Sequence, residues 1–243
     1  MKTPPGRSVR EVAIIGTGMI GTSIALALRR QGILTYLCDR DPYTVAMAAA
    51  RRAGVVGLPA APVDIAVLAV PSSAIAAVLA ECQGKALAHF YTDVGSVKVA
   101  PMADAEMIGC DVTNYVGGHP LAGRRRSGPL AASADVFRDR PWALTPVADT
   151  SAAAIEAVVE LVGLTGAHPV MMTPSEHDRV VARISHVPHR PATRGRRAGL
   201  CGRHGSRADR RPGYAARTSV VPRRSGWRWT TYPALSRPRI NST

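Results

Sequence analysis

The stretch Val12–Gly21 constrains the fold of this chain more than any other part of the sequence. It reads V-A-I-I-G-T-G-M-I-G, an apolar segment that leads directly into the pattern G-x-G-x-x-G. Between a strand and a helix, this pattern is the fingerprint of a dinucleotide-binding βαβ unit. In such a unit Gly16 allows the tight turn, Gly18 lets a pyrophosphate approach the backbone, and Gly21 lets the helix pack closely on the sheet.

The residues after the glycine pattern support a helix, which matters because the glycine spacing alone occurs often by chance. Ile20, Ile24 and Leu28 fall on one helical face, and Gly32 stands where the helix should end. The unpaired N–H groups of the first helical turn bind phosphates in this motif. We therefore assign Met19 and Ile20 to the cofactor site together with the three glycines.

A second strand is predicted over residues 35–39, and Asp39 at its end lies 18 residues after Gly21. An acid at about this distance binds the adenosine ribose and repels a 2′-phosphate, which favours NAD over NADP. The adjacent Arg40 could pair with that phosphate, so NADP stays possible. The alternative is that Asp39 only ends a strand.

Strands and helices alternate from residue 10 to residue 172, which predicts an α/β fold with a doubly wound parallel sheet. The apolar run Asp64–Val70 is typical of a strand buried on both faces. Its end should lie at the carboxyl edge of the sheet, where such folds bind ligands, so Val70 and Pro71 are assigned to the cofactor site. We expect Gly54 to end the second helix and residues 117–123 to form an irregular loop, because they are rich in glycine and proline.

The segment T-P-S-E at residues 173–176 is a capping box with proline in the first turn, so a new helix should begin there. The composition changes at Arg190, after which arginine, proline, glycine, serine and alanine dominate. We divide the chain into an N-terminal extension at 1–9, a dinucleotide-binding domain at 10–172, the start of a helical domain at 173–189, and a disordered tail at 190–243.

The formal charge of +14 suggests a nucleic-acid binder, but it is unevenly distributed. Residues 1–189 contain 17 Lys and Arg against 16 Asp and Glu, a net charge of +1. Residues 190–243 contain 14 Arg against the single acid Asp209, a net charge of +13. The basic character therefore belongs to the tail and does not describe the folded part.

Other sequence features bear on the cellular compartment of the protein and on metal binding. The sequence has no apolar run near the ~20 residues that a membrane-spanning helix needs, and its first ten residues lack the apolar core of a signal peptide. The four cysteines are widely spaced, without a C-x-x-C pair, which favours a reduced, cytoplasmic protein. We expect no metal site, because no carboxylate or thiolate accompanies His186 and His189 at ligand spacing.

Four motifs together resemble the prephenate/arogenate dehydrogenase family of tyrosine biosynthesis. They are G-T-G-M-I-G at 16–21, D-V-G-S-V-K at 93–98, G-G-H-P-L-A-G at 117–123 and H-D-R-V-V-A-R-I-S-H-V-P-H at 177–189. The resemblance implies a Rossmann-type NAD-binding domain followed by a helical domain that forms a homodimer and completes the active site. It also implies the oxidation of a ring carbinol, with hydride passing to the nicotinamide and the ring carboxylate leaving as carbon dioxide.

By this resemblance His119 receives the hydroxyl proton, which a histidine can do near neutral pH, and Ser96 aligns the histidine with the substrate. Ser185 and His189, spaced i, i+4 on one helical face, resemble residues that reach the substrate, and Arg124 could supply positive charge for the dianionic prephenate. The alternatives are a histidine with only a structural hydrogen bond, and a serine that is only an N-cap.

Members of the family continue after the last motif with apolar helices, whereas this chain continues with R-P-A-T-R-G-R-R. We interpret this tail as the product of a reading-frame change in a GC-rich gene, and we expect weak turnover in consequence. The alternative for the tail is a basic segment that binds nucleic acid or a membrane surface. The alternatives for the function of the chain are another oxidoreductase of the β-hydroxyacid dehydrogenase or imine reductase type, or a non-catalytic dinucleotide-binding protein.

Overall fold

One eight-stranded sheet organises the computed structural model, which describes residues 8–122 and 128–185. The strands are β1 (Glu11–Ile15), β2 (Leu34–Cys38), β3 (Val55–Val56), β4 (Val63–Leu68), β5 (Ala88–Asp93), β6 (Tyr115–Pro120), β7 (Pro141–Thr145) and β8 (His168–Met171). The helices are α1 (Met19–Arg30), α2 (Pro42–Ala50), α3 (Ile75–Gly84), α4 (Val99–Met107), α5 (Ala152–Leu164) and α6 (Pro174–Ser185).

The strand order is β3-β2-β1-β4-β5-β6-β7-β8. The chain runs outward from β1 in one direction and then returns to build the other half from β4, so the order reverses between β1 and β4. The carboxyl ends of strands on either side of such a reversal form the ligand crevice of open α/β folds. The predicted doubly wound α/β architecture is therefore confirmed.

Apolar residues cover both faces of the sheet. Along β1, Val12 and Ile14 join one buried cluster with α1 and α5, whereas Ala13 and Ile15 join a second cluster with α3 and α4. Because successive side chains of a strand point to opposite faces, a strand covered on both sides must be apolar throughout. This explains the unbroken apolar run before the glycine pattern.

Two details of the sheet correct the sequence-based prediction. The sheet is not entirely parallel, because β7 runs antiparallel to β6. Residues 117–120 are not an irregular loop but belong to β6. A Cβ atom at Gly117 would lie 2.6 Å from Thr145 Oγ1, and one at Gly118 would lie 2.5 Å from the carbonyl oxygen of Asp93. These glycines therefore permit close packing of a regular strand.

The predicted ends of the first two helices had different outcomes. Gly32 follows α1 with a φ of +77°, as expected of a glycine beyond a helix end. The prediction that Gly54 ends α2 is wrong, since that helix already ends at Ala50. A Cβ atom at Gly54 would lie 2.5 Å from the carbonyl oxygen of Thr35, so this glycine lets the chain pass close to β2 before the short strand β3.

Candidate functional site

The glycine turn after β1 has the backbone that its sequence predicts. Gly16 adopts a φ of +101°, and a Cβ atom there would lie 2.3 Å from the carbonyl oxygen of Ala69. A Cβ atom at Gly21 would lie 2.0 Å from the carbonyl oxygen of Gly16, whereas one at Gly18 would have no atom within 4 Å. Gly16 and Gly21 are therefore required by the fold, and Gly18 leaves open space in front of the first turn of α1.

Asp39 fastens this turn to the end of β2. One oxygen of its carboxylate, Oδ2, accepts hydrogen bonds from the backbone N–H of Thr17 at 2.6 Å and from the Thr17 hydroxyl at 3.1 Å, and Oδ1 accepts from the N–H of Asp41 at 3.0 Å. Because a carboxylate has about four acceptor positions, one is left for a further donor. Arg40, the next residue, is exposed at the same edge.

The loop after β4 forms the other wall of the crevice. Val70 is buried, and its Cγ1 atom lies 3.3 Å from the Cβ position of Gly16. Pro71 is exposed and precedes a short 3-10 turn at Ser72–Ala74. Val70 therefore lies beside the glycine turn, and Pro71 follows it at the carboxyl edge of the sheet.

His119 is the penultimate residue of β6 and lies at the same edge of the sheet. Since β1, β4, β5 and β6 are mutually parallel, their carboxyl ends point the same way. Two strands separate β1 from β6, which corresponds to three strand spacings, or about 14 Å. A ligand that extends along this edge from the glycine turn therefore approaches His119.

A hydrogen-bonded chain joins His119 to helix α6. Its Nδ1 atom lies 2.9 Å from Nε2 of His177, and Nδ1 of His177 lies 2.7 Å from Oδ1 of Asp178. When the carboxylate of Asp178 accepts the Nδ1–H of a neutral His177, the Nε2 atom of His177 must be the acceptor for His119. Nδ1 of His119 then carries a proton, and its Nε2 is left as a proton acceptor.

The start of α6 and the start of α4 hold this chain in place. The predicted capping box is present: the Glu176 carboxylate accepts the N–H of Thr173 at 2.9 Å, and the Thr173 hydroxyl accepts the N–H of Glu176 at 3.3 Å. His177, in this first turn, is only 1% exposed. The carboxylate of Asp178 also accepts the backbone N–H groups of Lys98 at 2.9 Å and Val99 at 3.0 Å.

The surroundings of His119 disfavour its protonated form. Its pKa is lowered from 6.5 to about 4, first by burial and then by electrostatic repulsion from His177 and from the Lys98 ammonium. The carboxylates of Asp93 and Asp178 act in the opposite direction but do not outweigh these effects. His119 is therefore an uncharged imidazole at neutral pH.

Ser96 lies in the segment between β5 and α4, and its side chain is exposed. The alternative that Ser96 is an N-cap is wrong, because α4 begins at Val99 with Lys98 as its N-cap residue. Within residues 8–122 and 128–185, no side-chain hydrogen bond joins Ser96 to His119. The alignment role suggested by the resemblance stays a prediction.

Three other predicted site residues have no described side chain. Arg124 and His189 lie outside the described residues, as does the tail at 190–243, and of Ser185 only the backbone, at the end of α6, is described. In contrast, sequence reasoning missed His177 and Asp178 as partners of His119. The available signal was a histidine next to an acid in the first turn after a strong capping box.

Two absences hold for the described part of the chain. None of its helices is both long enough and apolar enough to cross a membrane. Nor do its histidine, cysteine, aspartate and glutamate side chains come together in a group of three that could hold a metal ion.

Comparisons with known proteins identify the family of this chain. The family model described as "Prephenate dehydrogenase, nucleotide-binding domain" matches residues 24–178. The probable prephenate dehydrogenase NovF of Streptomyces niveus is 49% identical over 180 residues, which cover 74% of this chain and 50% of that protein.

Two solved structures are similar at 28% identity. The prephenate dehydrogenase from A. aeolicus in complex with hydroxyphenyl propionate and NAD+ has a TM-score of 0.68, and the match covers 76% of this chain and 67% of that chain. The arogenate dehydrogenase of Synechocystis has a TM-score of 0.65, with 72% and 64% covered. This chain spans about half the length of the sequence relatives NovF and the Bacillus subtilis prephenate dehydrogenase. The match to the family model nevertheless covers more than half of this chain, and the chain belongs to the prephenate dehydrogenase family.

Proposed function

We propose that this chain binds NAD, with NADP as the alternative, and acts in the oxidative decarboxylation of prephenate to 4-hydroxyphenylpyruvate or of arogenate to tyrosine. The observation that carries the proposal is the hydrogen-bonded chain from His119 through His177 to Asp178, which leaves Nε2 of His119 as a proton acceptor. It lies at the sheet edge that also holds the glycine turn.

The residues at the crevice fit a dinucleotide. The open space at Gly18 and the first turn of α1, with Met19 and Ile20, suit a pyrophosphate. The remaining acceptor position of Asp39 suits a ribose hydroxyl, and Val70 and Pro71 line the opposite wall. When bound, the nicotinamide ring supplies the acceptor for the hydride.

The side chains at His119 provide a route for the proton. As the substrate carbinol becomes a carbonyl, its hydroxyl proton passes to Nε2 of His119. The proton on Nδ1 of His119 can then move to Nε2 of His177, whose positive charge is paired with Asp178 at 2.7 Å. The charge thus comes to lie beside a carboxylate, which offsets the unfavourable surroundings of a protonated His119.

The remaining assignments rest on the resemblance. Ser96 would align the substrate hydroxyl, and Arg124, Ser185 and His189 would contact the substrate. We further propose that residues 10–172 form the nucleotide-binding domain and that residues 173–189 begin a helical domain through which family members form dimers.

We expect NAD binding but little turnover, because an arginine-rich sequence from Arg190 onward replaces the apolar helices that members of the family have at this point. The first test measures NADH formation by the purified chain with prephenate and, separately, with arogenate. We expect slow turnover that His119→Asn abolishes. Rapid turnover would contradict our account of the tail, and turnover unchanged by His119→Asn would contradict the role of this histidine.

A second measurement does not depend on turnover. In the NAD-saturated chain, the imidazole NMR signals of His119 should shift when prephenate is added, and His168, an exposed histidine on β8, serves as the internal control. If His168 shifted as much as His119, the effect would be one of ionic strength and the proposed substrate site would be wrong.

A further inference from the structure

The buried ion pair between Lys98 and Asp93 lies directly behind His119. Lys98 is 3% exposed and Asp93 is fully buried. A charge in such a place is costly unless it is paired and hydrogen-bonded. Here the Lys98 ammonium contacts the Asp93 carboxylate and also donates to the carbonyl oxygen of Gly118 at 2.7 Å.

The carboxylate of Asp93 is equally well supplied with donors. Oδ1 accepts from the N–H of Gly95 at 2.6 Å and from Lys98, and Oδ2 accepts from the Tyr115 hydroxyl at 2.5 Å and from the N–H of Gly118 at 3.3 Å. Four donors satisfy both oxygens. Such a fully connected network fixes the geometry of its members.

The Lys98–Asp93 ion pair supplies hydrogen bonds to β6 beyond the end of β5. Strand β5 pairs with β6 at Tyr115 and Val116 and then ends at Asp93, so β6 has no strand partner on that side when it reaches Gly118. Instead, the N–H of Gly118 is bound by Asp93 and its carbonyl oxygen by Lys98. The two peptide groups on either side of Gly118, the second of which joins it to His119, are thus held by one ion pair.

Lys98 also reaches His119 by a second route. Its backbone N–H donates to Asp178, which accepts a hydrogen bond from His177, which in turn contacts His119. The side chain and the backbone of Lys98 therefore hold the strand that carries the imidazole and the partner of that imidazole.

We propose that Lys98, paired with Asp93, is a positioning residue that fixes the imidazole of His119 on β6 and keeps it in its uncharged, proton-accepting form. The proposal rests on the proposed role of His119. The charged and titratable groups that face His119 are Lys98 on the loop before α4, Asp93 at the end of β5, and His177 and Asp178 on α6. Lys98 and His177 are the two groups that can carry a positive charge. Lys98 is paired with Asp93 and His177 with Asp178.

The test is the NMR titration of His119 in the full chain, with its signal identified by its loss in His119→Asn. Lys98→Met removes the charge and the donor at similar length. We expect the titration midpoint of His119 to rise by about half a pH unit or more, because a nearby positive charge is lost and Asp93 loses its partner. Lys98→Arg, which retains the charge, should leave the midpoint close to that of the unsubstituted chain.

Tyr115→Phe is the matched control, because it removes one donor from Asp93 without touching Gly118 or His119. It should lower stability while moving the midpoint much less than Lys98→Met. Lys98→Gln, which keeps a donor for Gly118 without the charge, provides the same test should Lys98→Met not fold. An unchanged midpoint in both charge-removing variants, or equal shifts in Tyr115→Phe and Lys98→Met, would overturn the proposal. Neither result depends on NAD binding or turnover, so a failure of the proposed function is detected separately.

Discussion

The Nδ1 atom of His119 lies 2.9 Å from the Nε2 atom of His177, although the two residues are 58 positions apart in the sequence. The contact joins the end of a sheet strand to the first turn of α6. It thereby holds the first turn of α6 at the carboxyl end of β6.

The first prediction concerns the stability of the chain between about pH 7 and about pH 5. The pKa of His119 is about 4 in the folded chain and 6.5 as a free side chain. The unfolded chain therefore binds more protons in this interval, and stability falls as the pH is lowered. After allowance for partial solvent exposure, the loss due to His119 is on the order of 1 kcal/mol.

Urea unfolding of the chain and of His119→Asn at both pH values measures this difference. The substituted chain should lose less stability on acidification than the unsubstituted chain. The pKa of Glu176 and that of Asp178 are lowered in the folded chain, so their contributions are lost only in more acidic solution. Equal pH dependence of the two chains would show that His119 titrates normally.

The second prediction compares Gly21, where a side chain would clash, with Gly18, where it would not. Gly21→Ala places a Cβ atom 2.0 Å from the Gly16 carbonyl oxygen, and we expect a loss of about 2 kcal/mol or more from overpacking. Gly18→Ala meets no atom within 4 Å at a φ of −63°, so its stability should change by less than about 0.5 kcal/mol. Thermal unfolding of both variants tests this, and similar losses would contradict the geometry of the turn.

The third prediction concerns the choice of cofactor. Asp39→Asn removes the charge that would repel a 2′-phosphate, so the ratio of the Kd values for NAD and NADP should shift towards NADP by about tenfold, or roughly 1.4 kcal/mol. Asp41→Asn is the control: it removes a charge two residues away and retains an efficient N-cap for α2. If Asp41→Asn changed the ratio equally, the effect would be one of overall charge.

The fourth prediction concerns thiol reactivity in a Cys201→Ala background. Burial raises the pKa of Cys38 and that of Cys82 to about 12, whereas Cys110 is only partly buried. Because the thiolate is the reactive form, a maleimide should modify Cys110 at least about tenfold faster than the other two. Peptide mapping measures the three rates, and in urea they should become similar. Fast labelling of Cys38 in the folded chain would contradict the burial of β2.

Most of the nucleotide-binding architecture could be predicted from local patterns. The glycine turn, the apolar runs and the capping box at Thr173 each depend on residues that are close in sequence. The extension of β6 through Gly117 and Gly118 could not be predicted in this way, because it depends on Thr145 and Asp93, which approach only in the folded chain. A glycine-rich segment favours a loop when only local sequence is considered, whereas these two glycines permit close packing within a strand.

The candidate site was predicted less completely for the same reason. His119 and the residues assigned to the cofactor site mostly stand in recognisable motifs, but the partners of His119 come from α6 and from the loop before α4. Lys98 belongs to the motif D-V-G-S-V-K, yet only the fold brings its ammonium to the carbonyl oxygen of Gly118. Hydrogen bonds between distant segments carry no periodic signal.

Titration of NAD into the full chain by calorimetry measures whether the glycine turn after β1 binds the cofactor. We predict saturable binding of one NAD per chain, weakened at least about tenfold in Gly18→Ala, whose thermal stability should stay unchanged. A folded chain that shows no saturable binding, or that binds NAD equally well after Gly18→Ala, would contradict a cofactor site at this turn.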